Sequence, residues 1–144
     1  FPYTAHRRYF DEEVRPRLDA RRRFIGPVGF ARKRRLLAAA RCLLVPSLAP
    51  ETSSLVAREA LAAGTPVIGF ATGALAEAID EGITGFLVDD AAAMADAISR
   101  CDALDRAACR AVAERRFALG AMTDAYLSLY RRLAGIEARP GAAA

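Results

Sequence analysis

Short apolar runs alternate along the chain with longer segments of mixed polarity, and the runs predict four strands. Each run is largely apolar along its length, whereas a strand with one wet face would alternate apolar and polar residues. Strands of this kind are typical of a parallel sheet whose two faces are both covered by helices. The predicted strands are residues 23–25, 42–45, 66–70 and 85–88.

The segments between and after these runs carry apolar residues at helical spacing. Pro16 disturbs the last turn of the first helix, while Gly64, with Pro66 just beyond, is a suitable end for the third. Strands that alternate with helices on short loops predict the α/β class, a Rossmann-like, doubly wound parallel sheet with helices on both faces and further C-terminal helices. The predicted helices are residues 7–18, 31–40, 54–63, 74–80, 91–100, 105–117 and 122–133.

The composition is that of a globular domain, and it argues against several kinds of site. Of 144 residues, 53% are hydrophobic and 26% are charged, which suits one domain with its own core. Cys42, Cys101 and Cys109 show no CxxC spacing, so we expect reduced thiols in the cytoplasm and neither a disulfide framework nor a zinc site. The single histidine, His6, argues against a histidine metal site or a serine–histidine catalytic pair.

Charge is distributed unevenly along the chain. Residues 1–41 hold 12 Arg and Lys against 4 Asp and Glu, whereas residues 42–144 hold 9 against 13. The basic half could meet a phosphate, an anionic membrane or nucleic acid, or it could be a solvated arginine-rich surface. Its aromatic residues fit no single-strand stacking motif, so we expect no nucleic-acid binding.

The candidate site follows from the strand order, because parallel sheets bind ligands at the carboxyl ends of their strands. The loop after residue 45 holds Glu51, and the helix predicted after it places Glu59 next to Leu55 and Val56 on its apolar side. A carboxylate there needs hydrogen-bond donors or costs several kcal/mol, roughly, when it is left unpaired. Hydroxyls of residues 52–54 are suited to cap the helix, whose free N–H groups form an anion site. Two carboxylates beside an anion site would suit a nucleotide-sugar; on spacing alone the alternative is a structural carboxylate that pairs with a distant Arg.

Two linked motifs carry a family resemblance. The stretch "PSLAPETSSLVAREALAAGTPVI" at residues 46–68 resembles the E-x7-E signature of family-4 glycosyltransferases, which are retaining enzymes of the GT-B fold, and "TGALAEAIDEGITGFLV" at residues 72–88 is similar to the segment that follows in that family. The segments "YFDEEVRPRL" and "RFIGPVGFARKRRLLAAARCLLVPS" fit as well, so the resemblance covers roughly residues 9–130.

The resemblance implies roles for individual residues. Glu51 would contact the hydroxyls of the donor sugar and is the catalytic candidate, while Glu59 would bind the ribose hydroxyls. The other implied donor-binding residues are Ser53, Ser54 and Leu55 near the distal phosphate, Gly26 and Pro27 near the base, and Gly73, where the backbone turns beside the cleft. The family often has Gly where this chain has Ser54 and Ala74, which leaves the approach of the backbone to the phosphate open.

The resemblance also implies that parts of the enzyme are missing. The family's basic diphosphate-binding residues and its acceptor-binding domain precede the stretch that matches here. With Phe1 in place of an initiator Met, we expect residues 1–134 to be an incomplete C-terminal nucleotide-sugar-binding domain and residues 135–144 a flexible tail. We expect the isolated piece to be inactive, and the full enzyme to transfer a sugar from a nucleotide donor to an acceptor bound by the missing N-terminal domain.

The remaining expectations concern cofactors and rival functions. The resemblance implies no metal or other cofactor, and Asp89 and Asp90 are more simply a loop and a helix cap. A phosphorylase would need a lysine for pyridoxal phosphate, and the chain has only Lys33. The alternative function is a non-enzymatic basic module that binds an anionic membrane or nucleic acid. An enzyme peripheral to the inner face of the membrane is a further alternative, because many such transferases use membrane-adjacent acceptors.

Overall fold

The computed structural model describes Tyr3–Gly135, so the predicted tail lies almost wholly outside the described residues. The chain divides into two compact units, one up to Lys33 and one from Arg34 onward, whereas length alone suggested a single domain. Nearly all the elements predicted for the site belong to the second unit.

The first unit is helical at its beginning and extended afterwards. Helix α1, Thr4–Tyr9, continues into a π-helical turn and a 3-10 turn at Arg15–Arg17, with Pro16 inside that last turn. The predicted strand at residues 23–25 is wrong, because these residues form no ladder with any described strand. Phe24 is instead 56% exposed, and its ring contacts Phe10 at a centroid distance of 4.7 Å.

The second unit is built on a parallel sheet of three strands, which confirms the other three predicted strands and the α/β class. The strands are β1 (Leu43–Val45), β2 (Val67–Phe70) and β3 (Gly85–Val88). They lie in the order β1-β2-β3, with Val67 opposite both Leu43 and Gly85. All three therefore direct their carboxyl ends to the same edge.

The helices lie where the sequence predicts them, within a few residues. They are α2 (Phe30–Ala39), α3 (Leu55–Ala62), α4 (Ala74–Ala78), α5 (Ala91–Arg100), α6 (Arg106–Phe117) and α7 (Leu119–Leu133). Gly64, just after α3, has a φ of +76°, which confirms it as the glycine that ends this helix. Asp90 accepts a hydrogen bond from the Ala93 N–H at 2.8 Å, which confirms it as the N-cap of α5.

Helices cover both faces of the sheet. Successive side chains of β2 point to opposite faces, so neighbouring residues contact different helices. Val67 belongs to a core cluster formed with α2, α3, α4 and α6, while its neighbour Ile68 belongs to a second cluster formed with β3 and α5. Both side chains are fully buried. The apolar runs of the sequence thus reflect burial on both faces, as predicted.

Helix α6 is joined to the ends of three other helices by arginines. Arg106 donates to the carbonyl oxygens of Ala38 and Ala40 near the end of α2, each at 2.8 Å. Arg110 donates to the Ala63 carbonyl oxygen after α3 at 3.3 Å. Arg116 donates to the Glu77 carbonyl oxygen in α4 and to Asp80 Oδ1 at 2.7 Å. Cations at these positions satisfy terminal carbonyl groups and complement the helix dipoles.

Helix α7 differs from α2–α6 because none of its residues is buried. Its apolar side chains all lie at the surface; the large ones are Leu119, Met122, Tyr126, Leu127, Leu129, Tyr130 and Leu133. Across the residues from Tyr3 to Gly135, we find no helix with the length and apolar character needed to cross a membrane.

Candidate functional site

The loops that follow β1 and β2 contact each other at the carboxyl edge of the sheet, where the sequence places the candidate site. The Ala74 N–H donates to the Glu51 carbonyl oxygen at 2.8 Å, and the Thr72 hydroxyl donates to the Ser47 carbonyl oxygen at 3.3 Å. The first residue of α4 is therefore bonded directly to the loop that carries Glu51. The contacts of Thr72 and Ser47 were not predicted, although their positions after two parallel strands could have indicated them.

Gly73 permits this close approach of the two loops. Its φ is +52°, a backbone conformation that L side chains rarely adopt. A Cβ at this position would lie 2.5 Å from the Glu51 carbonyl oxygen and 2.7 Å from the Glu51 nitrogen. Only a residue without a side chain fits between the backbone of the first loop and the start of α4.

The carboxylate of Glu51 lies among hydroxyl groups. Hydrogen bonding from the Ser54 side chain, and secondly from the Ser47 side chain, holds the pKa of Glu51 below its usual value. The Ser54 Oγ atom is buried, and no partner lies within normal hydrogen-bond geometry of it. The contact between Ser54 and Glu51 is therefore not a well-oriented hydrogen bond. Glu51 is half-buried and ionised at neutral pH, so it can accept hydrogen bonds from a polar ligand.

The start of α3 differs from the expected cap. Residues 52–54 were predicted to supply a capping hydroxyl, but α3 has no side-chain cap hydrogen bond, so this prediction is wrong. The N-cap residue Ser54 adopts left-handed backbone angles, with φ of 43° and ψ of 62°, and its hydroxyl therefore does not reach the N–H groups of the first turn. Leu55, which begins the helix, is 67% exposed.

Glu59 lies beside Leu55 on α3 as predicted, but this side of the helix does not face the core. The sequence placed it with Leu55 and Val56 on a core-facing side, but these two residues are 67% and 38% exposed. The side of α3 that faces the core is formed instead by Ala57, Ala60 and Leu61, all fully buried. The predicted neighbourhood of Glu59 and Leu55 is confirmed, and its burial in the core is wrong.

Glu59 and Leu55 line an open groove of about 360 Å³ between α3 and α6. Arg58, from the same helix, lies with its guanidinium 4.9 Å from the centre of the Phe117 ring, a cation–π contact. The Arg58 Nε atom is buried without a hydrogen-bond partner. The contact with Phe117 was not predicted, because the two residues are far apart in sequence and no local pattern links them. The groove is lined by Leu55, Arg58, Glu59, Ala62, Ala113, Glu114, Phe117 and Ala118.

Two predicted site residues belong to the first unit. Gly26 has a φ of +64°, and Pro27 follows it in an irregular segment. Their role near a base stays a prediction, as does the role of Ser53. Among Tyr3–Gly135, no three His, Cys, Asp or Glu side chains are grouped so that they could hold a metal ion.

Comparison with known proteins identifies the family. The family model described as "Glycosyl transferases group 1" matches residues 4–102, a stretch that includes both glutamates. The D-inositol 3-phosphate glycosyltransferases of Mycobacterium tuberculosis and Mycobacterium bovis are 39% identical to the chain over 129 residues, which cover 82% of this chain and 26% of the relative. The chain thus spans about a quarter of the length of these curated relatives.

Two solved structures share the fold. AviGT4, a glycosyltransferase involved in avilamycin A biosynthesis, has a TM-score of 0.66 and 30% identity, over 76% of this chain and 35% of its own. Anabaena Alr3699/HepE, solved in complex with UDP-glucose, has a TM-score of 0.70 and 24% identity, over 89% of this chain and 36% of its own. The matched family model and the shared parallel-sheet architecture lead to one conclusion: the chain belongs to the group 1 glycosyl transferases and represents part of a GT-B glycosyltransferase.

Proposed function

We propose that this chain is the donor-binding part of a retaining, hexosyltransferase-like glycosyltransferase, with a nucleotide-diphosphate sugar as the donor. The observation that carries the proposal is the junction of the two strand-end loops, where the ionised Glu51 lies beside Gly73 and the start of α3. Family membership supports the reaction class, and the position at the carboxyl edge of a parallel sheet supports a ligand site.

Glu51 is assigned to the sugar. A carboxylate with two oxygens accepts hydrogen bonds from neighbouring hydroxyls, and an ionised acceptor makes stronger bonds than a neutral one. The Ser47 and Ser54 hydroxyls that lower the Glu51 pKa keep it in this form. The hydrogen bond from the Ala74 N–H to the Glu51 carbonyl oxygen fixes the backbone from which the Glu51 side chain projects.

The start of α3 is assigned to the distal phosphate. The first hydrogen bonds of the helix are donated by the Ala57 and Arg58 N–H groups to the Ser54 carbonyl oxygen. The N–H groups of Ser54 and Leu55 come earlier in the chain and take no part in these bonds. No side chain caps this end among the described residues, and Leu55 is well exposed. Uncapped N–H groups and the positive end of the helix dipole favour an anion, with Ser53 beside it.

Glu59 is assigned to the ribose, while the role of Gly26 and Pro27 near the base stays an expectation from the family resemblance. Glu59 lies one helical turn after Leu55, on the same side of α3, so a nucleotide whose phosphate contacts the start of the helix could extend along it. Gly73 positions the loop of Glu51. None of these assignments requires a metal ion, and we propose no metal ion for the site.

The whole reaction belongs to a longer protein. Because the chain spans 26% of the length of its curated relatives, we propose that a further domain of the same protein supplies the acceptor site, and that residues of the protein outside this chain supply the basic groups for the diphosphate. This chain then contributes by holding the donor in position and stabilising the leaving diphosphate. The domain boundaries at residues 1–134 and a cytoplasmic location are part of this proposal.

Titration of the isotope-labelled chain with UDP, GDP, ADP and their sugar conjugates tests donor binding by NMR. We expect shifts at residues 53–59 and 73–77 that weaken in Glu59→Gln and in Glu51→Gln. Glu114→Gln is the matched control, because Glu114 lines the same groove from α6 but has no proposed ligand contact. Shifts that are equal in all three variants would refute the assigned site.

Activity is tested in the longer protein. Glu51→Gln should lower kcat by about 10²–10³, in the range seen when a transition-state hydrogen-bonding group is removed. The isolated 144-residue chain should transfer no sugar. Full transferase activity of Glu51→Gln would refute its catalytic role, and sugar transfer by the isolated chain would refute the need for a second domain. The alternative function, a basic module that binds an anionic membrane, predicts vesicle binding at low salt by the longer protein.

A further inference from the structure

Two of the three cysteines lie together on the side of the sheet covered by α5. Cys101 follows α5 and is buried in the cluster that contains Ile68 and Phe86. Cys42 directly precedes β1, is half-buried, and packs against the same cluster. The two side chains lie close enough for Cys42 to contribute to the raised pKa of Cys101.

The residues next to these cysteines are joined by an ion pair. Arg41 Nε donates to Asp102 Oδ1 and its Nη2 donates to Oδ2, both at 2.7 Å. Arg41 adjoins Cys42 and Asp102 adjoins Cys101, so this two-pronged contact holds the two chain segments side by side.

We propose that Cys42 and Cys101 form a site of oxidative modification, at which a peroxide converts the two thiols into an intramolecular disulfide. Cys42 is the more exposed cysteine and is the one that meets the peroxide. The disulfide would join the start of β1 to the end of α5, at the edge of the sheet opposite the loops that hold Glu51 and Gly73. Oxidation is therefore expected to leave donor binding intact.

The reaction balances with hydrogen peroxide as the oxidant. The Cys42 sulfur attacks one peroxide oxygen, the O–O bond breaks, and the thiol proton leaves in a first water, which produces a sulfenic acid. The Cys101 sulfur then attacks the Cys42 sulfur, the S–O bond breaks, and the departing hydroxide takes the Cys101 proton as a second water. Each sulfur gives up one electron, and the peroxide takes up both.

The reduced pair is stable until such an oxidant is present. Burial and the neighbouring Cys42 raise the pKa of Cys101 to about 12. Few thiolates are then available at Cys101, which agrees with the free thiols of the structure.

Cys109 provides an internal control. It is fully buried in the cluster on the opposite face of the sheet, and its thiol lies 3.9 Å from the Thr84 carbonyl oxygen. Burial also raises the pKa of Cys109. No cysteine partner is available to it among the described residues, since the other two cysteines lie on the far side of the sheet.

The test is peroxide treatment of the full 144-residue chain, followed by alkylation of remaining thiols and mass spectrometry without reduction. Trypsin separates the three cysteines into residues 42–58, 101–106 and 107–110. We expect a link between the first two peptides, lost in Cys42→Ser and Cys101→Ser and retained in Cys109→Ala. The same treatment in concentrated guanidinium chloride should remove this selectivity, because the pairing depends on the fold.

A second readout keeps the test independent of variant folding. The oxidised wild-type chain should unfold at a higher urea concentration than the reduced chain, and a dithiol reductant should reverse the shift. Two results would overturn the proposal. In the first, Cys42 and Cys101 can both still be alkylated under conditions that fully oxidise a small-thiol standard. In the second, Cys109 of the folded chain forms disulfide links in amounts comparable to the link between Cys42 and Cys101.

Discussion

Ser54 is the one residue other than glycine, among those the structure describes, with a positive φ, and it precedes the helix proposed to bind a phosphate. Its φ of 43° brings the Cβ close to the following carbonyl group, a strain that Gly avoids. The family resemblance already indicated that Gly is common here. The positive φ at Ser54 is a conformation that Gly adopts without this strain, which gives a physical reason for that preference.

Replacing Ser54 with Gly should stabilise the chain. Relief of the left-handed strain is expected to exceed the cost of added flexibility in the unfolded chain, for a gain of about 0.5–1 kcal/mol in the free energy of unfolding. Urea unfolding measures the difference. The control is Ser53→Gly, where φ is not positive and only the flexibility cost applies. A loss of stability in Ser54→Gly equal to that of the control would contradict the strain argument.

Gly73 should not tolerate a side chain. A Cβ would clash with the Glu51 backbone at 2.5–2.7 Å, and the positive φ adds to the cost. We expect Gly73→Ala to lower the free energy of unfolding by about 2 kcal/mol or more. Gly120→Ala is the matched control, since no atom lies within 4 Å of the added Cβ and α7 favours Ala. Equal unfolding midpoints for the two variants would rule out the tight contact.

The ionisation of Glu51 should depend on Ser47. Because Ser54 and Ser47 lower the Glu51 pKa, its contribution to stability is complete above the ordinary carboxyl pKa and is lost as the pH falls through the lowered value. Ser47→Ala should raise the Glu51 pKa towards its ordinary value, as measured by the carboxyl carbon shift in NMR. Ser128→Ala, on exposed α7, is the control. An unchanged Glu51 titration in Ser47→Ala would remove Ser47 from the site.

At the scale of elements, α6 connects other helices of the second unit through hydrogen bonds from Arg106, Arg110 and Arg116. The three arginines contact the ends of three different helices, so α6 takes over the role of C-terminal caps for α2, α3 and α4. Sequence patterns indicated α6 itself but not these contacts, because the carbonyl groups involved are distant in the chain.

Removing one of these arginines should destabilise the chain more than removing an exposed one. Arg106→Met leaves the Ala38 and Ala40 carbonyl oxygens without that donor and removes a contact to the Thr65 hydroxyl at 3.0 Å. We expect a loss of about 1–3 kcal/mol in the free energy of unfolding. Arg115→Met, on the exposed side of the same helix, should change it by less than about 0.5 kcal/mol. Thermal unfolding monitored by circular dichroism compares the two, and equal midpoints would argue against a capping role.

At the scale of the whole molecule, the buried core belongs to the second unit. None of the described residues up to Lys33 is buried, whereas the largest fully buried side chains, including Leu61, Ile68 and Leu75, lie beyond it. The ion pairs of the first unit, such as Arg15 with Asp11, lie at the surface and contribute about 0–1 kcal/mol each.

Hydrogen exchange should reveal this division. The amides of β2 are expected to exchange only on global unfolding, while the amides up to residue 33 exchange through local opening. Mass spectrometry of exchanged peptides from the full chain provides the measurement, with the helical peptide of α5 as an internal reference. Equal protection of the two units would contradict the distribution of buried residues.

The sequence by itself determined the α/β class, three strands, the approximate bounds of the helices and the two loops that meet at the site. These features follow from local periodicity and from the rule that parallel strands present their carboxyl ends at one edge. The prediction of a strand at residues 23–25 was wrong because a strand requires a hydrogen-bonded neighbouring strand, and the periodicity of a single segment cannot show whether one is present.

Only the tertiary structure decided which side of α3 faces the core. The sequence pattern predicted that the side with Leu55 and Val56 faces the core. The structure instead buries the side with Ala57, Ala60 and Leu61, where the small alanines let the helix approach the sheet closely. That choice directs Glu59 towards the open groove. The position of Glu59 in that groove, the strain at Ser54 and the proximity of Cys42 to Cys101 all depend on contacts between residues far apart in the chain.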